Sequence, residues 1–200
     1  MGFACAEEAH DDGVDLLATG EMGIANTAVA SAVVAALTGL SVKSVTGRGT
    51  GVSEEGLLRK IQVIEDALRV NQGAAGRPME VLARLGGFEI GALAGLALGA
   101  ARWRIPLIVD GWIATAAAVL AVRIQPAAAE YFFFGHRSAE AGHDEVLRWF
   151  GFDPILDLGM RLGEGTGACL ATTILDAACT VLKEVATFEE AGVPNKRRTP

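Results

Sequence analysis

The stretch Met160-Arg161-Leu162-Gly163-Glu164-Gly165-Thr166-Gly167-Ala168 holds one carboxylate between glycines, directly after an apolar run. That run, Pro154-Ile155-Leu156-Asp157-Leu158, reads as a buried strand, and the Ala/Leu-rich stretch over residues 168–185 reads as a helix. Glu164 is thereby expected on a strand-to-helix turn, where open α/β sheets present their ligands. Glycine on either side lets a substrate approach the backbone and leaves the carboxylate uncrowded, as a general base requires. A glycine-rich turn whose glutamate merely faces water has the same local pattern, and the pattern by itself weighs the two evenly.

The same grammar recurs upstream: a short apolar run, a glycine-bearing loop, then a helical pattern. Residues 14–18 lead into Thr19-Gly20-Glu21-Met22-Gly23-Ile24-Ala25-Asn26-Thr27 and a helix ending near Leu40. Residues 40–45 lead into Gly47-Arg48-Gly49-Thr50-Gly51 and a helix over residues 54–70. Ser53 is the natural N-cap of that helix, with Glu54 and Glu55 in its first turn; Leu57, Ile61, Ile64 and Leu68 mark its buried face. Residues 105–109 lead into Asp110-Gly111 and a helix over 112–122. Residues 131–134 lead into Gly135-His136-Arg137-Ser138 and a helix around 144–150. Two more helices, 78–85 and 88–101, are separated by Gly86-Gly87. Strands alternating with helices predict an α/β fold with a mostly parallel sheet covered on both faces.

Each loop follows a strand and precedes a helix, so all are expected on one edge of the sheet. They carry Glu21, Asn26, Arg48, Asp110, His136, Arg137, Ser138 and Glu164. Glycine-rich loops entering helix N-termini favour anions such as phosphate, because free backbone N–H groups and the helix dipole both attract them. Loop 47–51 lacks the GxxxxGK[ST] spacing, and no loop shows GxGxxG with a following ribose acid, so ATP and NAD are weakly supported. Lys60 is by default a solvated lysine that one turn could bring to a phosphate. Asp110 serves equally as a helix cap or a ligand contact. Glu21 and Glu89 share the neighbouring glycine of Glu164 and read equally as structural.

Composition narrows the class. A net charge of −7 with no basic stripe argues against nucleic acid. Cys5, Cys169 and Cys179 have no CxxC spacing and no signal peptide precedes them, which fits buried or idle thiols in a reducing cytoplasm. His10, His136 and His143 lack metal-ligand spacing, so no metal is expected. The mean hydropathy of +0.36 comes mostly from residues 24–42, 87–101 and 105–124. These are Ala/Gly-rich, and Glu89 and Asp110 break two of them, so they read as buried helices and no membrane is expected. No linker appears before Pro194, so residues 1–193 are expected to form one domain and residues 194–200, with Lys196-Arg197-Arg198, a disordered tail.

Taken together the loops resemble the nicotinate-nucleotide–dimethylbenzimidazole phosphoribosyltransferase family. The resemblance rests on loop 20–27, loop 47–51, Gly86-Gly87-Phe88-Glu89-Ile90, Val109-Asp110-Gly111-Trp112-Ile113-Ala114, His136-Arg137-Ser138-Ala139-Glu140, residues 160–168 and Ala186-Thr187-Phe188-Glu189-Glu190-Ala191-Gly192-Val193, in that order. It implies a three-layer α/β/α Rossmann-like core with terminal helices of a small domain. It also implies a homodimer, no cofactor, and small-molecule substrates: nicotinate mononucleotide and a benzimidazole-type base. The reaction would transfer phosphoribose to 5,6-dimethylbenzimidazole, giving α-ribazole 5′-phosphate and nicotinate in cobalamin assembly. Glu164 falls on the family's catalytic base. Gly23 and Asn26 would hold the phosphate with Lys60 adding charge, Arg161 and Gly163 would lie near the nicotinate, and Glu21, Asp110 and Ser138 complete the implied substrate contacts.

Two departures accompany the match. The family's Gly-Asn-Thr-Thr after Met-Gly-Ile is here Ala25-Asn26-Thr27-Ala28. The match also corresponds to roughly the C-terminal three-fifths of a family member, whose N-terminal part supplies much of the azole pocket. The alternative that follows is a catalytically incomplete relative acting as a nucleotide- or azole-binding module.

Overall fold

The structure, a computed structural model, describes residues 1–193. Its elements run α1 (Gly2–Asp11), β1 (Leu17–Ala18), α2 (Thr27–Thr38), α3 (Glu54–Val70), α4 (Pro78–Leu85), α5 (Phe88–Trp103), β2 (Leu107–Val109), α6 (Trp112–Ile124), β3 (Phe132–Phe134), α7 (His143–Phe150) and α8 (Thr166–Glu184), with 3₁₀ turns at Gln72–Ala74 and Pro126–Tyr131. Residues 194–200, read from sequence as a tail, lie outside the described residues.

The three strands are all parallel in the order β1-β2-β3, pairing Ala18 with Ile108 and Ile108 with Phe133. The central strand is buried at every residue, as an apolar run covered on both faces must be. Helices α2, α5 and α6 pack around one main core, while α8 covers the other face through Ile108, Ala168 and Ala171. This is the α/β/α layering expected. Helix α6 is buried from Trp112 to Ala121; its Ala-rich sequence lets neighbouring helices approach from every side.

Local signals hold where they were strongest. In α3, Ser53 Oγ accepts the Gly56 N–H at 3.1 Å, and Ile64 is buried at the centre of the inward face with Leu57, Ile61 and Leu68 half-buried around it. The three greasy segments form α2, α5 and α6 inside the domain. Among the described residues one helix, α8, has the length and mean hydropathy (1.2) of a membrane-crossing segment, at the low end of both.

Three expectations need correction. Residues 40–45 are a turn rather than a strand: Gly39 ends α2 in the left-handed region, and Ser44 N–H donates to both the carbonyl and the hydroxyl of Ser41. Short serine side chains satisfy the backbone locally and so compete with strand pairing. Residues 154–158 run beside β3, with Ile155 N–H bonded to Phe134 O, yet form a single bridge between His136 and Leu156, and Leu158 is exposed. The cysteines are all exposed, because α1 and α8 turn those faces outward. Helix α1, which carries no sequence signal noted above, lies so close on α5 that a Cβ on Gly99 would stand 2.5 Å from Ala6 Cβ.

Candidate active site

The loops following β1, β2 and β3 and the turn before α8 converge on a cavity of about 350 Å³, lined by Glu21, Gly23, Asp110, Ser138, Arg161, Gly163 and Glu164, together with Thr27, Gly49, Thr50 and Glu140. That volume suits a mononucleotide-sized ligand. Seven of the nine site residues expected from sequence therefore share one wall-lined space; Asn26 and Lys60 stand just behind it.

Glu164 is held in an unusual backbone. Gly163, Glu164 and Gly165 are consecutive left-handed residues, with φ of 78°, 58° and 78°. A non-glycine residue there costs on the order of 1 kcal/mol or more, so neighbours must enforce it. The enforcement is visible: Glu164 N–H donates to Glu21 O at 2.7 Å, and a Cβ on Gly163 would stand 2.7 Å from that same carbonyl. The turn is thereby stitched to the loop after β1, and its carboxylate stands exposed at the cavity wall.

Asp110 supplies the second stitch. It lies buried at the end of the central strand, with Oδ2 accepting Gly165 N–H and Oδ1 accepting Ala168 N–H, each at 3.1 Å. His136 Nε2 stands 3.5 Å from Oδ1, and the Asp110 N–H donates to Thr19 Oγ1. Asp110 is thus the N-terminal cap of α8, with both oxygens taken by its backbone. Gly167 is forced by the same packing, since a Cβ there would fall 1.9 Å from His136 Cδ2.

Asn26 braces rather than lines the cavity: its Nδ2 donates to Glu21 Oε1 at 2.6 Å. Glu21 Oε2 is left buried without a partner among the described residues. Lys60 Nζ donates to Thr27 Oγ1 at 2.8 Å and to Gly47 O at 2.9 Å. Burial pushes its ammonium below lysine's ordinary range, with the Glu140 charge acting the other way. Arg161 Nη1 donates to Gly49 O at 3.2 Å.

At Ala25 the backbone is left-handed, with φ of 68°, where the family pattern has glycine. Ala25→Gly is expected to raise stability by about 0.5–1 kcal/mol, the strain relieved exceeding the entropy added to the unfolded chain. A thermal melt showing no gain would mean the loop already accommodates the methyl group.

Sequence reading missed Thr19, Glu140 and His143. Thr19 and Glu140 carried no motif of their own beyond their place in the loops; His143 was read only as a histidine without metal spacing. It is fully buried, accepting Ser138 N–H at Nδ1 (2.9 Å), which leaves Nε2 to donate to Thr115 Oγ1 (2.9 Å). That neutral imidazole anchors the loop presenting Ser138 to the cavity. Desolvation, reinforced by His136, pushes its pKa down to about 3 from 6.5. Between those values the unfolded chain binds the proton and the folded one does not, so stability falls as pH drops from 6.5 towards 3. The expected contribution is up to about 1.4 kcal/mol per pH unit, read as a steeper acid loss of Tm in the parent than in His143→Gln. Equal slopes would show that His143 charges freely in the fold.

Known proteins resemble this chain along nearly its whole length. A phosphoribosyltransferase family model matches residues 1–193. A nicotinate-nucleotide–dimethylbenzimidazole phosphoribosyltransferase of Chloroflexus aurantiacus is 58% identical over 98% of this chain and 56% of its own. A relative of the same description from a Geobacter species is 50% identical over 96% of this chain and 55% of its own. The crystal structure of CobT from Thermus thermophilus superposes with a TM-score of 0.90 at 47% identity, covering 97% of this chain and 58% of that one. The chain thus spans little more than half the length of these relatives. With its turn-borne glutamate, its cavity at the strand ends and this likeness along nearly its whole length, the chain belongs to the nicotinate-nucleotide–dimethylbenzimidazole phosphoribosyltransferase family.

Proposed function

We propose that this chain transfers phosphoribose from nicotinate mononucleotide to 5,6-dimethylbenzimidazole, forming α-ribazole 5′-phosphate and nicotinate. The observation that carries the reading is Glu164, held against backbone preference at the wall of a mononucleotide-sized cavity. One azole nitrogen attacks the ribose anomeric carbon as the bond to the pyridinium breaks. Glu164 takes the proton from the other azole nitrogen. Nicotinate leaves as a neutral pyridine ring, so no general acid is needed, and one placed base suffices. Gly23, Gly49 and Lys60 receive the phosphate, and Glu21 Oε2, buried without a partner among the described residues, accepts a ribose hydroxyl. Arg161 and Gly163 face the nicotinate, and Ser138 closes the far wall. Asp110 and Asn26 act through the residues they hold.

The chain works without a cofactor or metal in this scheme. Three exposed free thiols suit a reducing cytoplasm. An exposed apolar stripe on α8, formed by Leu170, Ile174 and Val181, supports a homodimer, to be checked as a mass in solution twice that of the chain. A binding module without turnover is the second reading; Met22, Ile24 and Leu162 line the mouth yet each is more than half exposed, which leaves the azole side open among the described residues. Incubation with both substrates and mass spectrometry for α-ribazole phosphate tests the first reading. Absence of product from a folded chain that binds nicotinate mononucleotide would favour the second.

A further inference from the structure

The cavity contains an anion-binding motif that already holds an anion. In loop 47–51, Gly49 N–H donates to Glu140 Oε2 at 3.3 Å, and a Cβ on Gly47 would stand 2.5 Å from that same oxygen. Lys60 Nζ lies 3.6 Å from where a Cβ of Gly49 would be. An ammonium has three donors; among the described residues Thr27 and Gly47 take two, and one is left over. Arg161 holds the carbonyl of the same Gly49. A glycine-loop N–H beside an ammonium with a spare donor forms a donor set for a phosphate monoester. The acceptor now facing Gly49 is the Glu140 carboxylate.

We propose that Glu140 is a specificity-determining residue: its carboxylate holds the Gly49 amide as a stand-in anion until a phosphate monoester displaces it. The proposal rests on the reading that a phosphate binds at loop 47–51 and Lys60. A dianionic phosphate brings more charge to Lys60 than one carboxylate does, and it takes the Gly49 N–H as well. A nucleoside lacking the phosphate brings no charge and leaves Glu140 seated. Discrimination by an intrinsic competitor weakens the binding of every anion, and weakens that of the weaker ones beyond use.

The test titrates inorganic phosphate calorimetrically into the full chain, Glu140→Gln and Lys60→Ala. Glutamine keeps an acceptor oxygen for Gly49 and loses only the charge, so the loop stays held. Glu140→Gln is expected to bind phosphate about tenfold more tightly, and Lys60→Ala more weakly, than the parent. If Glu140→Gln binds no better while Lys60→Ala still binds worse, the stand-in role is overturned and the phosphate site stands. If neither the parent nor Glu140→Gln binds phosphate, both readings fall. A second measurement follows the Gly49 amide resonance of the parent: displacement requires it to shift as phosphate saturates, and an unmoved resonance overturns the proposal.

Discussion

Glu164→Gln is expected to lower the rate of α-ribazole phosphate formation by about 10²–10⁴-fold, the range for loss of a placed general base. The substitution is isosteric, so the left-handed turn and the bond from residue 164 N–H to Glu21 O survive. Stability is therefore expected to change little, and affinity for nicotinate mononucleotide to stay near that of the parent, because the phosphate and ribose contacts proposed above involve other residues. The effect should fall on kcat and kcat/KM alike, the signature of an interaction made only in the transition state. A variant retaining more than a tenth of the parent rate would remove Glu164 as the base. A variant that loses binding together with turnover would make it a ligand contact.

Asp110→Asn is expected to lower both stability and turnover. Asparagine presents one oxygen and one NH₂ group where two backbone N–H groups now find oxygens, so a donor faces a donor at Gly165 or Ala168. Losing one charge-assisted bond and stranding a buried N–H costs about 2–4 kcal/mol, or about 4–16 °C of Tm in a chain of this size. Because Gly165 follows Glu164 directly, loosening it also frees the proposed base from its position, and kcat is expected to fall while Glu164 remains present. Faster amide exchange at Gly165 and Ala168 would register the lost cap independently of any assay. An unchanged Tm with only a raised KM would show instead that Asp110 serves the ligand.

These two carboxylates differ in how far the chain announces them. Glu164 could be found by reading along the sequence, since its glycines are its immediate neighbours and those glycines permit the left-handed turn it adopts. Asp110 was read as an ambiguous strand-end acid, its two uses left level. Its partners lie 55 and 58 residues away, and no local pattern points to them. His143 and Glu140 are the same case: one was a histidine without metal spacing, the other an acid inside a loop motif, and only their partners at Thr115, Ser138 and Gly49 give them roles.

The sequence by itself determined the helices from α2 to α8 and the loops that carry the site, but not α1. Helical periodicity and capping act within about four residues, so Ser53 and the inward face of α3 could be read directly. Strand identity was less legible. Residues 40–45 and 154–158 carry apolar side chains as β2 does, yet a strand exists only where another strand meets it, and in a parallel sheet that partner is far along the chain. The site belongs to the same category. The first turn of α8 needs acceptors for its N–H groups, and many carboxylates in the chain could supply them. The order β1-β2-β3 brings the end of the central strand beneath that turn, and so it is Asp110 that holds Glu164 in place.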